Sequence, residues 1–145
     1  VDELFELRAT LECKLLSESI PNLTKESKIE AEEILIKLES ALDKEDSSNT
    51  WSELNSEFHN CLYSGANKPQ TLDLVNTLNK NADRYIRMHL LWAGSINEAE
   101  SQHRELLSLC QQSETEKAVD MLEKHILISR DEIKDFLQKR ELAAS

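Results

Sequence analysis

Between Thr50 and Gly65 the chain reads TWSELNSEFHNCLYSG. At helical spacing Trp51, Leu54, Phe58 and Leu62 form one apolar stripe, and Asn55 and His59 fall on it too. A helix that turns its apolar side to a core does not place polar groups there without cause, because a buried polar atom without a partner costs free energy. The stretch therefore reads as a core-facing helix that carries two polar side chains inward.

The rest of the chain agrees with a helical core. Its 145 residues suffice for one hydrophobic core, and 39% hydrophobic against 31% charged residues, with 2 Gly and 2 Pro, is the composition of an all-α globular domain. A formal charge of -11 argues against a direct grip on nucleic acid, which needs clustered Lys and Arg. No apolar run reaches the roughly 20 residues of a membrane span, and VDELFELR is no signal peptide, so the expected location is the cytoplasm. Cys13, Cys61 and Cys110 are odd in number and widely spaced, which indicates neither a disulfide framework nor a CxxC site. The start at Val1, almost directly in a helical pattern, leads us to expect a piece of a longer protein.

Six helical segments can be drawn. The first spans about Asp2 to Ser19, with Leu4, Leu7, Leu11 and Leu15 inward, and stops before Pro21. The second runs from Thr24 as N-cap to about Lys44, with Ile29, Ile34, Leu35, Leu38 and Leu42 on its apolar side, and polar DKEDSSNT follows as the longest candidate loop. The third ends at Ser64-Gly65, where a left-handed glycine cap is expected. The fourth starts near Pro69 and runs to Trp92, before Gly94. Ser95 with Glu98, and Ser113 with Glu116, match the S-x-x-E capping box and open the fifth and sixth, the last reaching about Arg140. Short connections between amphipathic helices imply an antiparallel bundle.

Two further histidines share the habit of His59. His103 lies on the stripe of Ile96, Ala99, Leu106, Leu107 and Cys110, and His125 on that of Ala118, Met121, Leu122, Ile126 and Ser129. A single inward histidine is more often a hydrogen-bonded core residue than a ligand. Three of them, with Asn55 one turn before His59, shift the balance, because one metal ion satisfies several ring nitrogens at once. Three imidazoles and an amide oxygen suit zinc, nickel, cobalt or iron better than magnesium or calcium. His89 has no ligand spacing around it and reads as structural or interfacial.

Arg8 is a further polar residue on an apolar stripe. Either it pairs with Glu12, one turn on, at a half-exposed edge, or it points inward to take a carboxylate through two parallel hydrogen bonds. In DRYIRMHL, Arg84 reads as part of a solvated face, while Arg87 is left open between that reading and a binding role.

These residues resemble the FCD domain, the C-terminal ligand-binding domain of FadR-type GntR transcription regulators, over essentially the whole chain. The resemblance rests on ELRATLE (6–12), the N-x-x-F-H of Asn55 to His59, the H-x-x-L-L of His103 to Leu107 and the A-x-x-x-L-x-x-H-I of Ala118 to Ile126. His103 and His125, 22 residues apart, also match the family's interval. The resemblance implies an antiparallel bundle of six to seven helices, a metal held by three histidines and an acidic residue, and a small carboxylate effector beside it. Carried over, the metal ligands are Asn55, His59, His103 and His125, with zinc or nickel as first choices, and the effector-binding candidates are Arg8, Arg87 and Tyr85. Asn55 stands where the family has Asp, which removes a negative charge and weakens the hold on a dication. Ser113-Glu114 stands where the family has a Gly-Asp turn, a change the capping box is expected to absorb. The family's winged helix-turn-helix domain has no counterpart in this chain, so contact with DNA would come only through a separate N-terminal domain.

The leading expectation is thus a single effector-sensing and dimerising domain over 1–145, not an enzyme. Leu74, Leu78, Tyr85, Met88 and Trp92, a second apolar line on the fourth helix, are the expected homodimer seam. A small metalloenzyme is the rival, weakened by the lack of H-E-x-x-H and of a general base on the ligand-bearing stripes; Glu57 is two residues from His59 and points elsewhere. A metal-free helical interaction module is the third reading.

Overall fold

The computed structural model describes the backbone of residues 1–41, 47–93 and 96–144, with the side chains of 47–49, 89–93, 96–100 and 143–144 set aside. Among the described residues there are six α-helices and no strand: α1 (Asp2–Ser19), α2 (Lys25–Ala41), α3 (Ser47–Tyr63), α4 (Pro69–Ala93), α5 (Ile96–Gln111) and α6 (Thr115–Ala144). Short 3-10 turns, Ile20–Asn22 and Ser64–Ala66, follow α1 and α3. The chain is an all-α antiparallel bundle, as the helical periodicity predicts.

α1 is the organising element, packed along α6 on one side and α4 on the other, while α2 lies against α3 and α5. Phe5, Leu16, Leu35, Phe58, Leu62, Leu107, Leu122 and Ile126 are essentially fully buried where these helices meet. Each such side chain contributes about 1.5–3 kcal/mol by leaving water, offset by the ordering of the chain.

The register of α1 differs from expectation. Leu15 is buried and Leu4 and Leu11 pack at the margin, but Leu7 is 44% exposed; the inward face holds Phe5, Arg8, Ala9, Glu12 and Leu16. A helix gripped from several sides buries a wide face, and here that face includes an ion pair. On α2, Ile29 is likewise exposed, and the buried set is Ala31, Ile34, Leu35, Leu38 and Ala41. Leu42 falls outside the described residues. The expected loop 43–50 is already helical from Ser47 on.

The helix ends carry the remaining corrections. Thr24 caps α2 as expected, its Oγ1 accepting the Ser27 N–H at 3.1 Å. After α3 the left-handed residue is Asn67 (φ 53°) rather than Gly65. Gly65 serves close approach instead: a Cβ there would stand 2.5 Å from the Ser19 carbonyl oxygen, and its N–H donates to Ser19 Oγ at 2.9 Å. Ser113 does not open α6; it closes α5 in left-handed conformation (φ 57°), with its N–H on the Cys110 carbonyl and the Glu114 N–H on that of Leu109. That is a Schellman ending, the place where glycine is otherwise preferred. Gly94 and Ser95 lie outside the described residues, as does the Glu98 side chain. α6 continues past Arg140 to Ala144.

Candidate metal centre

Three helices converge on one point in the core. α3 brings His59, 5% exposed, α5 brings His103, 1% exposed, and α6 brings His125, which is partly exposed. The ring centroids of His59 and His103 are 5.3 Å apart, those of His103 and His125 5.4 Å, and those of His59 and His125 6.1 Å. One ring nitrogen from each lies within 4.8 Å of the others. Helical periodicity accounts for this: each histidine sits on the buried stripe of its helix, so stripes that meet bring the imidazoles together.

Ring atoms at this point lack partners: His59 Nδ1 and both ring nitrogens of His103 are buried without a hydrogen bond, as is Asn55 Oδ1 one turn before His59 on α3. Buried polar atoms are normally paired, so several orphans in one place are the mark of a site completed by something else. A set of imidazole nitrogens fits a borderline transition metal.

His125 has one partner. Its Nδ1 faces Gln102 Oε1, and a hydrogen bond donated to that carbonyl oxygen leaves Nε2 with its lone pair for a ligand. Nothing in the sequence pattern marks Gln102, which lies beside His103 off the main stripe.

All three rings are poor bases. Burial, the proximity of His103 and His125, and the Arg8 charge hold His59 well below its ordinary value. Burial and the neighbouring His125 bring His103 down to about 3, and burial with Arg8 brings His125 down to about 4. At neutral pH the rings are therefore uncharged, the form that ligates metal.

Beside the cluster lies a second buried polar group, and here both carboxylate oxygens have partners. Arg8 and Glu12 are 8% and 1% exposed; Arg8 Nε donates to Glu12 Oε2 at 3.0 Å, and Tyr63 Oη donates to Glu12 Oε1 at 2.7 Å. The i, i+4 pair, one of the two readings of Arg8, thus forms, but inside the protein rather than at a half-exposed edge. Tyr63, one turn beyond His59, completes it; continuing the α3 stripe by one turn would have found it. Burial and the Glu12 carboxylate push the Tyr63 hydroxyl well above its ordinary pKa.

The other candidates stand in different surroundings. Arg87 pairs with Asp83 at 3.0 Å, and the Tyr85 hydroxyl accepts from Arg84 Nη2 at 3.2 Å. Glu57 is exposed, and the His89 side chain lies outside those described. Trp51, read from sequence only as apolar, is 3% exposed with its indole Nε1 buried and unpartnered, and its ring centroid is 6.2 Å from that of His103.

Comparison with known proteins follows the same lines. A family model described as FCD domain matches residues 3–127. A solved GntR-family transcriptional regulator from Pseudomonas syringae pv. tomato str. DC3000 superposes with a TM-score of 0.79 at 26% identity, over 94% of this chain and 56% of that one. E. coli McbR/YncC gives a TM-score of 0.81 at 20% identity, a likeness of fold, over 94% of this chain and 65% of that one. The chain thus spans less than two thirds of either protein. No curated protein sequence matches it.

Proposed function

The chain belongs to the FCD domain family, and from that premise we propose that it is the effector-sensing and dimerising domain of a cytoplasmic GntR-type transcription regulator, one that binds DNA only through a separate N-terminal domain. The observation that carries this reading is the cluster of His59, His103 and His125, with nitrogens within 4.8 Å of one another and orphaned ring atoms on two of the three. These histidines, with Asn55 Oδ1, would hold a divalent transition metal, zinc or nickel first. Such an ion supplies a Lewis-acid centre with positions open to a carboxylate oxygen.

The remaining steps belong to the chain's own residues. Arg8 receives the far end of a small carboxylate effector, its guanidinium held in place by the Nε bond to Glu12. Because Arg8 sits on α1, which packs along α6, a ligand that pulls on Arg8 biases how the start of the domain is held. Arg87 and Tyr85 remain secondary effector candidates on α4. The homodimer seam is assigned to α4, where Leu74 is 52% exposed and Leu78, Tyr85 and Met88 are half-buried; Trp92 lies outside the described side chains.

An enzymatic role is disfavoured: the relatives with solved structures include transcription regulators, and the buried carboxylate that would serve as base, Glu12, is held by Arg8 and Tyr63. Among the described residues no helix is long and apolar enough to cross a membrane. The test is elemental analysis of protein purified without chelator, then soaked in zinc or nickel and desalted. The expected result is about one equivalent per chain, lost in His103→Ala. Absence of metal from the wild type after soaking would refute the reading.

A further inference from the structure

The donor atoms of the cluster are all electrically neutral. An imidazole ligates through a neutral nitrogen, and Asn55 offers an amide oxygen left without a partner. Among the described residues the convergent ligand group is three histidines with no carboxylate. Glu12 is the one fully buried carboxylate among them, and it is already committed: Tyr63 and Arg8 occupy its two oxygens, and the Arg8 charge cancels its own.

A dication seated on these donors would leave two positive charges uncompensated in a buried site. Burying an unpaired ion is costly even after relaxation, so the compensating charge has to arrive with a ligand. We propose that the domain takes its metal and a multiply charged carboxylate as a pair, each binding more tightly with the other present. This rests on the metal reading above and narrows the effector to a di- or tricarboxylate. One carboxylate group would leave a residual positive charge; two or more cancel the dication while the far end reaches Arg8. Trp51 adds a buried, unpartnered N–H suited to a carboxylate oxygen. Coupling of this kind is reciprocal: the anion raises metal affinity by the factor by which the metal raises the anion's. The domain then reports the coincidence of metal and polycarboxylate.

The test is isothermal titration of the full chain with nickel chloride, with a preformed one-to-one nickel–citrate complex, and with nickel chloride in excess acetate. Wild type is expected to bind nickel–citrate roughly tenfold or more tightly than nickel alone, within the range of coupled sites, with acetate giving a smaller gain. Asn55→Asp, which builds a negative charge into the site, is expected to bind nickel alone about tenfold more tightly than wild type and to lose most of the gain from citrate. Wild type that binds nickel equally well with and without citrate would overturn the pairing while the metal reading stands. If wild type and Asn55→Asp take up nickel in none of the three forms, the metal reading fails and the pairing with it.

Discussion

One turn of α3 separates two kinds of buried polarity. At Tyr63 the polar atoms are closed on one another: the hydroxyl and the Arg8 guanidinium each donate to Glu12. At His59 and Asn55, one and two turns back, the ring nitrogen and the amide oxygen have no partner, and neither do both nitrogens of His103. A closed network lowers the free energy of one arrangement and specifies it. An open cluster does the reverse, since each orphaned atom costs about 1–3 kcal/mol until something completes it. Side by side in one core, they differ in kind: the network holds Arg8 Nε in position, and the cluster leaves its polar atoms unpaired.

The largest test of this contrast is Glu12→Ala. It leaves the Arg8 charge and the Tyr63 hydroxyl buried without their acceptor, and loss of one partner from a buried ion pair costs about 3–5 kcal/mol. Urea denaturation measures the loss. A cost below about 1 kcal/mol would mean that the network is no more than a surface-like pair.

The second test uses pH on the metal-free chain. The histidines titrate lower in the folded than in the unfolded chain, where the ordinary value is near 6.5. The unfolded chain therefore binds more protons once the pH falls below about 6.5, and stability declines from there towards about 4 for His125 and about 3 for His103. Each ring contributes up to about 1.4 kcal/mol per pH unit. His103→Leu removes one ring's share of that slope between pH 6 and 5, and it leaves metal-free stability at pH 7 equal or higher because two orphaned atoms disappear. An unchanged slope would show that His103 is not buried neutral.

The smallest effect is expected outside both regions. Arg104, beside His103, bonds Glu39 through Nε and Nη2 at 2.9 and 2.6 Å and Glu32 through Nη1 at 2.6 Å, tying α5 to α2. Its side chain is 41% exposed, and solvent screens the pairs, so Arg104→Gln is expected to cost about 1 kcal/mol or less and to matter least at high salt. A loss comparable to Glu12→Ala would place this clamp on a level with the buried network.

The same contrast explains what could be read in advance. His59, His103 and His125 were legible because each interrupts a strongly periodic apolar stripe, and meeting stripes bring their interruptions together. The bundle and most helix limits followed from the same periodicity and from Thr24 and Pro69. The inward face of α1 was not legible: Leu7 suits the period as well as Phe5, and the choice is made by helices far along the chain, with Tyr63 arriving from 51 residues beyond Glu12. Ser113 in left-handed conformation carries no local signal, since its S-x-x-E spacing points to a cap instead. Gln102 was invisible because its role depends on His125 in another helix.

The central claim is that the open cluster is a metal site, and cobalt(II) titration followed by visible absorption tests it most directly. The account predicts ligand-field bands that grow to saturation at about one equivalent of cobalt and are absent in His103→Ala, whose histidine network is broken. A spectrum that stays that of hydrated cobalt throughout the titration of the wild type would contradict it.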